Sequence, residues 1–193
     1  MGRGGPRISG RRQSSRPADA TGPQLDVRVI QSNKVSKTHK GGKTMSWSML
    51  VVVGDNKGQI GVGLGKARGI PDAIRKAEEA ARKNMFSVAM IGATIPHEVS
   101  ATYCGATVVL KPASPGTGVK AGSAARHCLE ALGIHDVLAK CIGSRNSVNI
   151  AYATLKAFEE LQSPEDIAQR RGKDVGELVP WLAKARKEEA DHA

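Results

Sequence analysis

The chain has 193 residues, enough for one or two small domains with a real core, but only 3 % are aromatic, so Val, Ile, Leu, Ala and Met must build that core. Lys and Arg number 29 against 18 Asp and Glu, a net charge of +11; clustered as they are, these cations point to an anionic partner, nucleic acid before an anionic membrane, rather than to solubility alone. Cys104, Cys128 and Cys141 have no Cys-x-x-Cys spacing, which argues against a disulfide framework and a zinc site and predicts reduced thiols in a cytosol-like compartment, while no apolar run nears the roughly 20 residues of a membrane span.

Residues 1–23 read as a disordered basic arm. Arg3, Arg7, Arg11, Arg12 and Arg16 oppose a single acid, Asp19, with no apolar periodicity. The arm lacks the apolar segment of a secretory signal, and its glycines oppose the amphipathic helix of an organellar transit peptide.

From Gln24 the pattern turns strand-like, with Leu25, Val27 and Val29 alternating with other residues. A basic loop follows, Lys34 to Lys43, with a cation at Lys34, Lys37, Lys40 and Lys43, hydroxyls at Ser36 and Thr38, and the pair Gly41-Gly42 where the backbone can turn. A second strand, Met45 to Val53, places Met45, Trp47, Met49, Val51 and Val53 on one face. Gly54-Asp55-Asn56-Lys57-Gly58 predicts a hairpin. In the third strand, Gln59 to Gly65, the glycines at 61, 63 and 65 share one face, which predicts close approach of another element. Pro71 opens a helix with Ala73, Ile74, Ala77, Ala80, Ala81 and Met85 inward, ending near Asn84. Its cations Arg75, Lys76, Arg82 and Lys83 share one side. This first unit, 24–91, is three antiparallel strands with a helix across one face.

The second unit, 92–163, reads as paired strands over Thr94–Thr102 and Ala106–Leu110. A Pro/Gly-rich loop follows from Lys111 to Gly122. A helix then runs from Ser123 to Leu132, closed by Gly133, followed by a strand over Val137–Ile142 and a helix from Ser147 to Leu161. Strands and helices in this alternation give an α+β fold. Ser163-Pro164-Glu165-Asp166 starts a further helix, and 164–193 forms a C-terminal helix and tail.

Nucleotide motifs fail on inspection. Gly41-Gly42-Lys43-Thr44 ends like a P-loop, but Lys37 stands where the first Gly belongs; Gly63-Leu64-Gly65-Lys66 is followed by Ala67, which ligates no magnesium. The loop from Pro112 to Gly122 before a helix suits either an anion contact or a structural connection. The histidines show no metal or triad spacing. No enzyme activity, metal or cofactor is expected. Basic groups with few aromatics point to recognition of RNA backbone and shape.

Taken together these segments resemble the small-subunit ribosomal protein S5 family in its bacterial form, over about residues 24 to 178. The resemblance rests on Arg28-Val29-Ile30, the whole of Lys34 to Lys43, Val52-Val53-Gly54-Asp55, Gly61 through Ala67, and Arg82-Lys83-Asn84-Met85. In the second unit it rests on Lys111-Pro112-Ala113-Ser114, Gly116-Thr117-Gly118, Val137-Leu138-Ala139-Lys140, Gly143-Ser144, Asn146 and Arg171-Gly172-Lys173. It implies a double-stranded-RNA-binding-like first domain and a second α+β domain with a left-handed βαβ crossover. It implies a structural constituent of the small ribosomal subunit in the cytoplasm, bound to rRNA where body meets head, lining the channel by which mRNA enters and supporting decoding accuracy. The partners implied are rRNA, mRNA and ribosomal proteins S4 and S8, with Gly118 and Arg126 at the S4 boundary. The expected rRNA-binding set is Arg28, Lys34, Ser36, Lys37, Thr38, Lys40, Gly41, Gly42, Lys43, Lys66, Arg68, Ser144, Arg145 and Asn146. Two positions depart from the family pattern: Ser147 replaces a frequent Pro, and Arg145 a small polar residue.

Overall fold

The computed structural model describes residues 25–173; the basic arm expected over 1–23 and the tail expected after 173 lie outside the described residues. The architecture is α+β, two four-stranded sheets with helices. The first sheet has the order β1-β2-β3-β4, from β1 (Asp26–His39), β2 (Gly42–Gly54), β3 (Gln59–Ala67) and β4 (Phe86–Ser87), all antiparallel. The sequence suggests only three strands. The fourth forms because the chain, leaving α1 (Ile70–Lys83) at Asn84, lays Phe86 and Ser87 against Ile60 and Gln59. A strand of that length carries no periodicity to read.

Helix α1 has Pro71 in its first turn, and Asp72 there with Arg82 and Lys83 in the last turn complements the helix dipole. It lies against the glycine face of β3. A Cβ added at Gly61, Gly63 or Gly65 would stand 2.3, 2.1 or 2.2 Å from the carbonyl oxygen of Ala81, Ala77 or Ala73. These alanines are fully buried. Two residues of strand advance roughly 6.6 Å and four residues of helix about 6 Å, so the glycine and alanine series stay in step, running oppositely, and backbone meets backbone along the whole contact.

The other face of this sheet is also covered. Met49 to Val53 are all buried. Met49, Val51 and Val53 pack with the α1 alanines, whereas Leu50, Val52, Ile60 and Val62 belong to a larger core shared with the second unit. An unbroken apolar run is the pattern of a strand buried on both sides; the alternation read from the sequence describes only the side facing α1.

The second sheet has the order β5-β6-β8-β7, from β5 (Val99–Tyr103), β6 (Ala106–Pro112), β7 (Val119–Lys120) and β8 (Val137–Gly143). Its first strand begins at Val99, not Thr94, because Thr94 is tied into a tight turn by paired backbone bonds with Ile91. The Lys111–Gly122 loop contains β7, which runs parallel to β8. With α2 (Ser123–Leu132) between them, β7 and β8 form a βαβ unit. The next helix, α3 (Ser147–Glu159), ends two residues before the expected Leu161. In α4 (Pro164–Arg171), Ser163 Oγ accepts from the Glu165 amide and Gly172 closes the helix.

The units interlock where the β2–β3 turn meets the end of α2. Amides of Asn56 and Gly58 donate to the carbonyls of Ala131 and Leu132, at 3.2 Å each, and so satisfy acceptors that a helix end leaves free. A Cβ on Gly54 would lie 1.9 Å from the Ala131 oxygen, and one on Gly133, left-handed at φ 94°, 2.4 Å from the Asn56 oxygen. Alongside, the Arg28 guanidinium of β1 binds Glu130 of α2 and Asp26, the latter at 2.7 Å. These hydrogen bonds, led by Asp26, raise the Arg28 pKa above its ordinary value.

The thiols differ by environment: Cys104 is exposed, Cys141 half-buried and Cys128 buried. Burial, reinforced by Cys141 beside it, pushes the Cys128 thiol up to about 12. Only the thiolate attacks disulfides. Native protein with an aromatic disulfide reagent at pH 8 is therefore expected to release one fast equivalent, from Cys104, and the rest only on unfolding; simultaneous release of all would contradict this burial. Because the folded value is raised, Cys128 supports the fold fully below its ordinary 9.0, and that support is lost as pH climbs toward about 12.

Candidate nucleic-acid interface

Lys34 to Lys43, expected as a loop, is the end of a long hairpin. Lys34 pairs with Trp47, Ser36 with Met45, Thr38 with Lys43 and His39 with Gly42. Lys40 and Gly41 alone make the reversal. Of the two glycines, Gly42 holds φ at 152°, a conformation that L side chains rarely adopt, whereas a Cβ on Gly41 meets nothing within 4 Å. Near its base a bulge between Val29 and Gln31 shifts the register and bends the arm. The sequence hides this strand because the arm is polar on both faces, and alternation shows only where one face is buried.

Strand geometry sorts the cations. Lys34, Ser36 and Thr38, with Trp47, Met45 and Lys43 across from them, share the face that meets α1 further along. Val35, Lys37 and His39 face the other way, beside Ser46 and Thr44. There β3 contributes Lys66, opposite Ser48, with Arg68 just beyond the strand. Lys37, His39, Thr44, Ser46, Lys66 and Arg68, with Val35 and Ser36, line a single groove of about 340 Å³.

Along the arm itself no acid stands between the cations. From Val27 to Gly54 there is no Asp or Glu. Among the described residues no ion pair involves Lys34, Lys37, Lys40, Lys43, Lys66 or Arg68. On α1, by contrast, Arg82 meets Glu78 at 2.6 Å and Arg75 meets Glu79 at 3.9 Å. The arm and the end of β3 thus bring six cations without ion pairs together with hydroxyl groups, the chemistry of a phosphate backbone site.

Family models match both units: Ribosomal protein S5, N-terminal domain, over residues 25–89, and Ribosomal protein S5, C-terminal domain, over residues 101–171. The chain belongs to the ribosomal protein S5 family. It is also 50 % identical over 167 residues to small ribosomal subunit protein uS5 of Nocardia farcinica (strain IFM 10152), covering 86 % of this chain and 77 % of that protein. Membership makes it a structural constituent of the small ribosomal subunit, in the cytoplasm, with rRNA and other ribosomal proteins around it.

The other residues singled out in this S5-family chain lie away from the groove. Arg28 is engaged at the junction of the units, and Arg126 shares its partner, meeting Glu130 at 3.0 Å. Ser144, Arg145 and Asn146 form the passage from β8 to α3. There the Ser144 amide donates to the Gly105 carbonyl at 2.9 Å, Asn146 Oδ1 accepts from the Val148 amide at 3.1 Å as the helix cap, and Arg145 is exposed. Gly118, at φ 76°, donates its amide to Asp136 Oδ1 at 2.9 Å. In the Pro112–Gly122 loop, Thr117 Oγ1 donates to the Ser114 carbonyl at 2.7 Å, and the Gly122 backbone lies against Cys141 Sγ. That packing describes a structural connection. Both P-loop-like segments sit in the first sheet, one at the hairpin tip and one inside β3, not in a strand-to-helix loop. Among the described residues no group of His, Cys, Asp and Glu could hold a metal ion, and no helix is long and apolar enough to cross a membrane.

Composition and spacing do not mark His39, Thr44 or Ser46 as residues of the groove. Their signal is register: once the turn is placed at Lys40-Gly41, counting back along both strands pairs Lys37 with Thr44 and Lys34 with Trp47.

Proposed function

We propose that the hairpin arm and the Lys37–Lys66–Arg68 groove grip the phosphate backbone of small-subunit rRNA where body meets head. In that position the protein lines the channel by which mRNA enters and supports decoding accuracy. The observation that carries this reading is the concentration of cations on the arm with no carboxylate among them. Lys34, Ser36, Thr38, Lys40, Gly41, Gly42 and Lys43 complete the contact at the arm. Ser144, Arg145 and Asn146 form a second contact on the other unit, and Arg28 acts from the junction. Gly118 and Arg126 face ribosomal protein S4, and S8 is a further neighbour. The working division is a first domain over 24–91, a second over 92–163 and a C-terminal extension over 164–193. The role is binding and architecture, without catalysis.

Affinity for transcribed small-subunit rRNA, measured by filter binding over a range of salt, tests the grip. Counterion release from six cations predicts a slope of log affinity against log salt of roughly −4 to −5. A flat dependence would remove the phosphate grip from the account.

A further inference from the structure

The arm face opposite the groove has a different chemistry. Met45 is 46 % exposed, and Trp47 beside it is half-buried. Trp47 packs against the cluster of Met49, Val51, Val53 and the α1 alanines. Lys34 Nζ lies over its ring, 6.0 Å from the centre, at the outer limit of a cation–π contact. An indole and a thioether side by side are of no use to a phosphate. Set among the lysines of the arm, they suit a flat apolar group that travels with phosphates, and that group is a nucleobase.

We infer that Trp47 stacks on an unpaired RNA base, with Met45 along the base's edge and Lys34 moving off the ring to the flanking phosphate. This rests on the RNA reading proposed above and adds to it. The arm is held on both faces, by backbone in the groove and by a base on the opposite side. In the free protein Lys34 covers the ring that the base later occupies.

The test uses the full chain carrying Trp181→Phe, which leaves Trp47 as its only tryptophan. Two RNA hairpins of equal length are compared, one fully paired and one with an unpaired internal loop. The looped RNA is expected to quench Trp47 emission and to bind roughly tenfold more tightly, the scale of one base–aromatic stack. Trp47→Ala, read as binding without the emission, removes that preference and leaves the salt slope unchanged, because stacking releases no counterions. Trp47→Phe keeps a ring for packing and stacking and preserves the preference, which separates lost stacking from a disturbed fold. If the looped RNA binds while Trp47 emission stays still, stacking is overturned and the phosphate grip stands. If neither RNA binds at low salt, both readings fall.

Discussion

Gly63→Ala is expected to lower the melting temperature by roughly 6–12 °C, the equivalent of about 3 kcal/mol of overpacking in a chain of this size. The added methyl would lie 2.1 Å from the Ala77 carbonyl oxygen and 2.5 Å from the Ala81 nitrogen. Both are helix backbone atoms, which no rotamer change can move aside, so α1 must lift from β3. Lifting it opens the packing of Ala73, Ala77 and Ala81 at once, because these alanines meet a row of glycines with no side chain to fill a gap. Gly41→Ala is the control. It adds the same methyl where nothing lies within 4 Å, and its melting temperature should match the parent within about 1 °C. Equal melting curves for the two variants would show that the close approach does not govern stability.

Reversing two charges in the groove, Lys37→Glu with Lys66→Glu, should weaken rRNA binding by roughly a hundredfold, taking each charge-assisted contact as at least about 1.5 kcal/mol. The salt slope should become shallower by about 2, one for each phosphate contact removed. Both side chains are exposed, so thermal stability should hold within about 0.5 kcal/mol for each change. Lys76→Glu with Lys83→Glu alters the net charge equally on α1, where neighbouring cations already meet Glu78 and Glu79. If that control costs as much affinity, binding follows total charge and the groove is not a site. The choice of Lys66 comes from the register. From sequence the natural companion of Lys37 is Lys40, three residues on, but Lys40 occupies the turn whereas Lys66 lines the same groove.

How much of the fold can be read from residue order alone depends on whether a buried face is there to pattern it. Gly61, Gly63 and Gly65 announce a close neighbour because their period of two has no other purpose, and the neighbour is α1. The limits of α2 are legible because Gly133 stops it in a left-handed cap. Ser163 marks the start of α4 through the bond its hydroxyl accepts. The arm reads as a loop because no face of it is buried, and a strand without a buried face has the composition of a loop. In β7, Val119 and Lys120 are too few to show a period, and the strand exists only because β8 runs alongside. Leu50 and Val52 are legible as apolar but not as belonging to the second unit, since a contact between units leaves no local signature. For the candidate site, the cations on the arm are legible by type. Their division between two faces, and the place of Lys66 and Arg68 beside Lys37, require the turn to be located to the residue.

The arm's ladder, paired from Asp26 with Gly54 out to His39 with Gly42, bears on the order of assembly. Fixing a backbone costs about 1–2 kcal/mol per residue in lost freedom, and here that cost is met when the protein folds, not when it meets RNA. A flexible loop could thread into a finished crevice and settle there. A preformed arm needs an open approach, with space on both faces and at the tip. An RNA site that takes the arm as proposed above would therefore have to be open when the protein arrives and close around it afterwards.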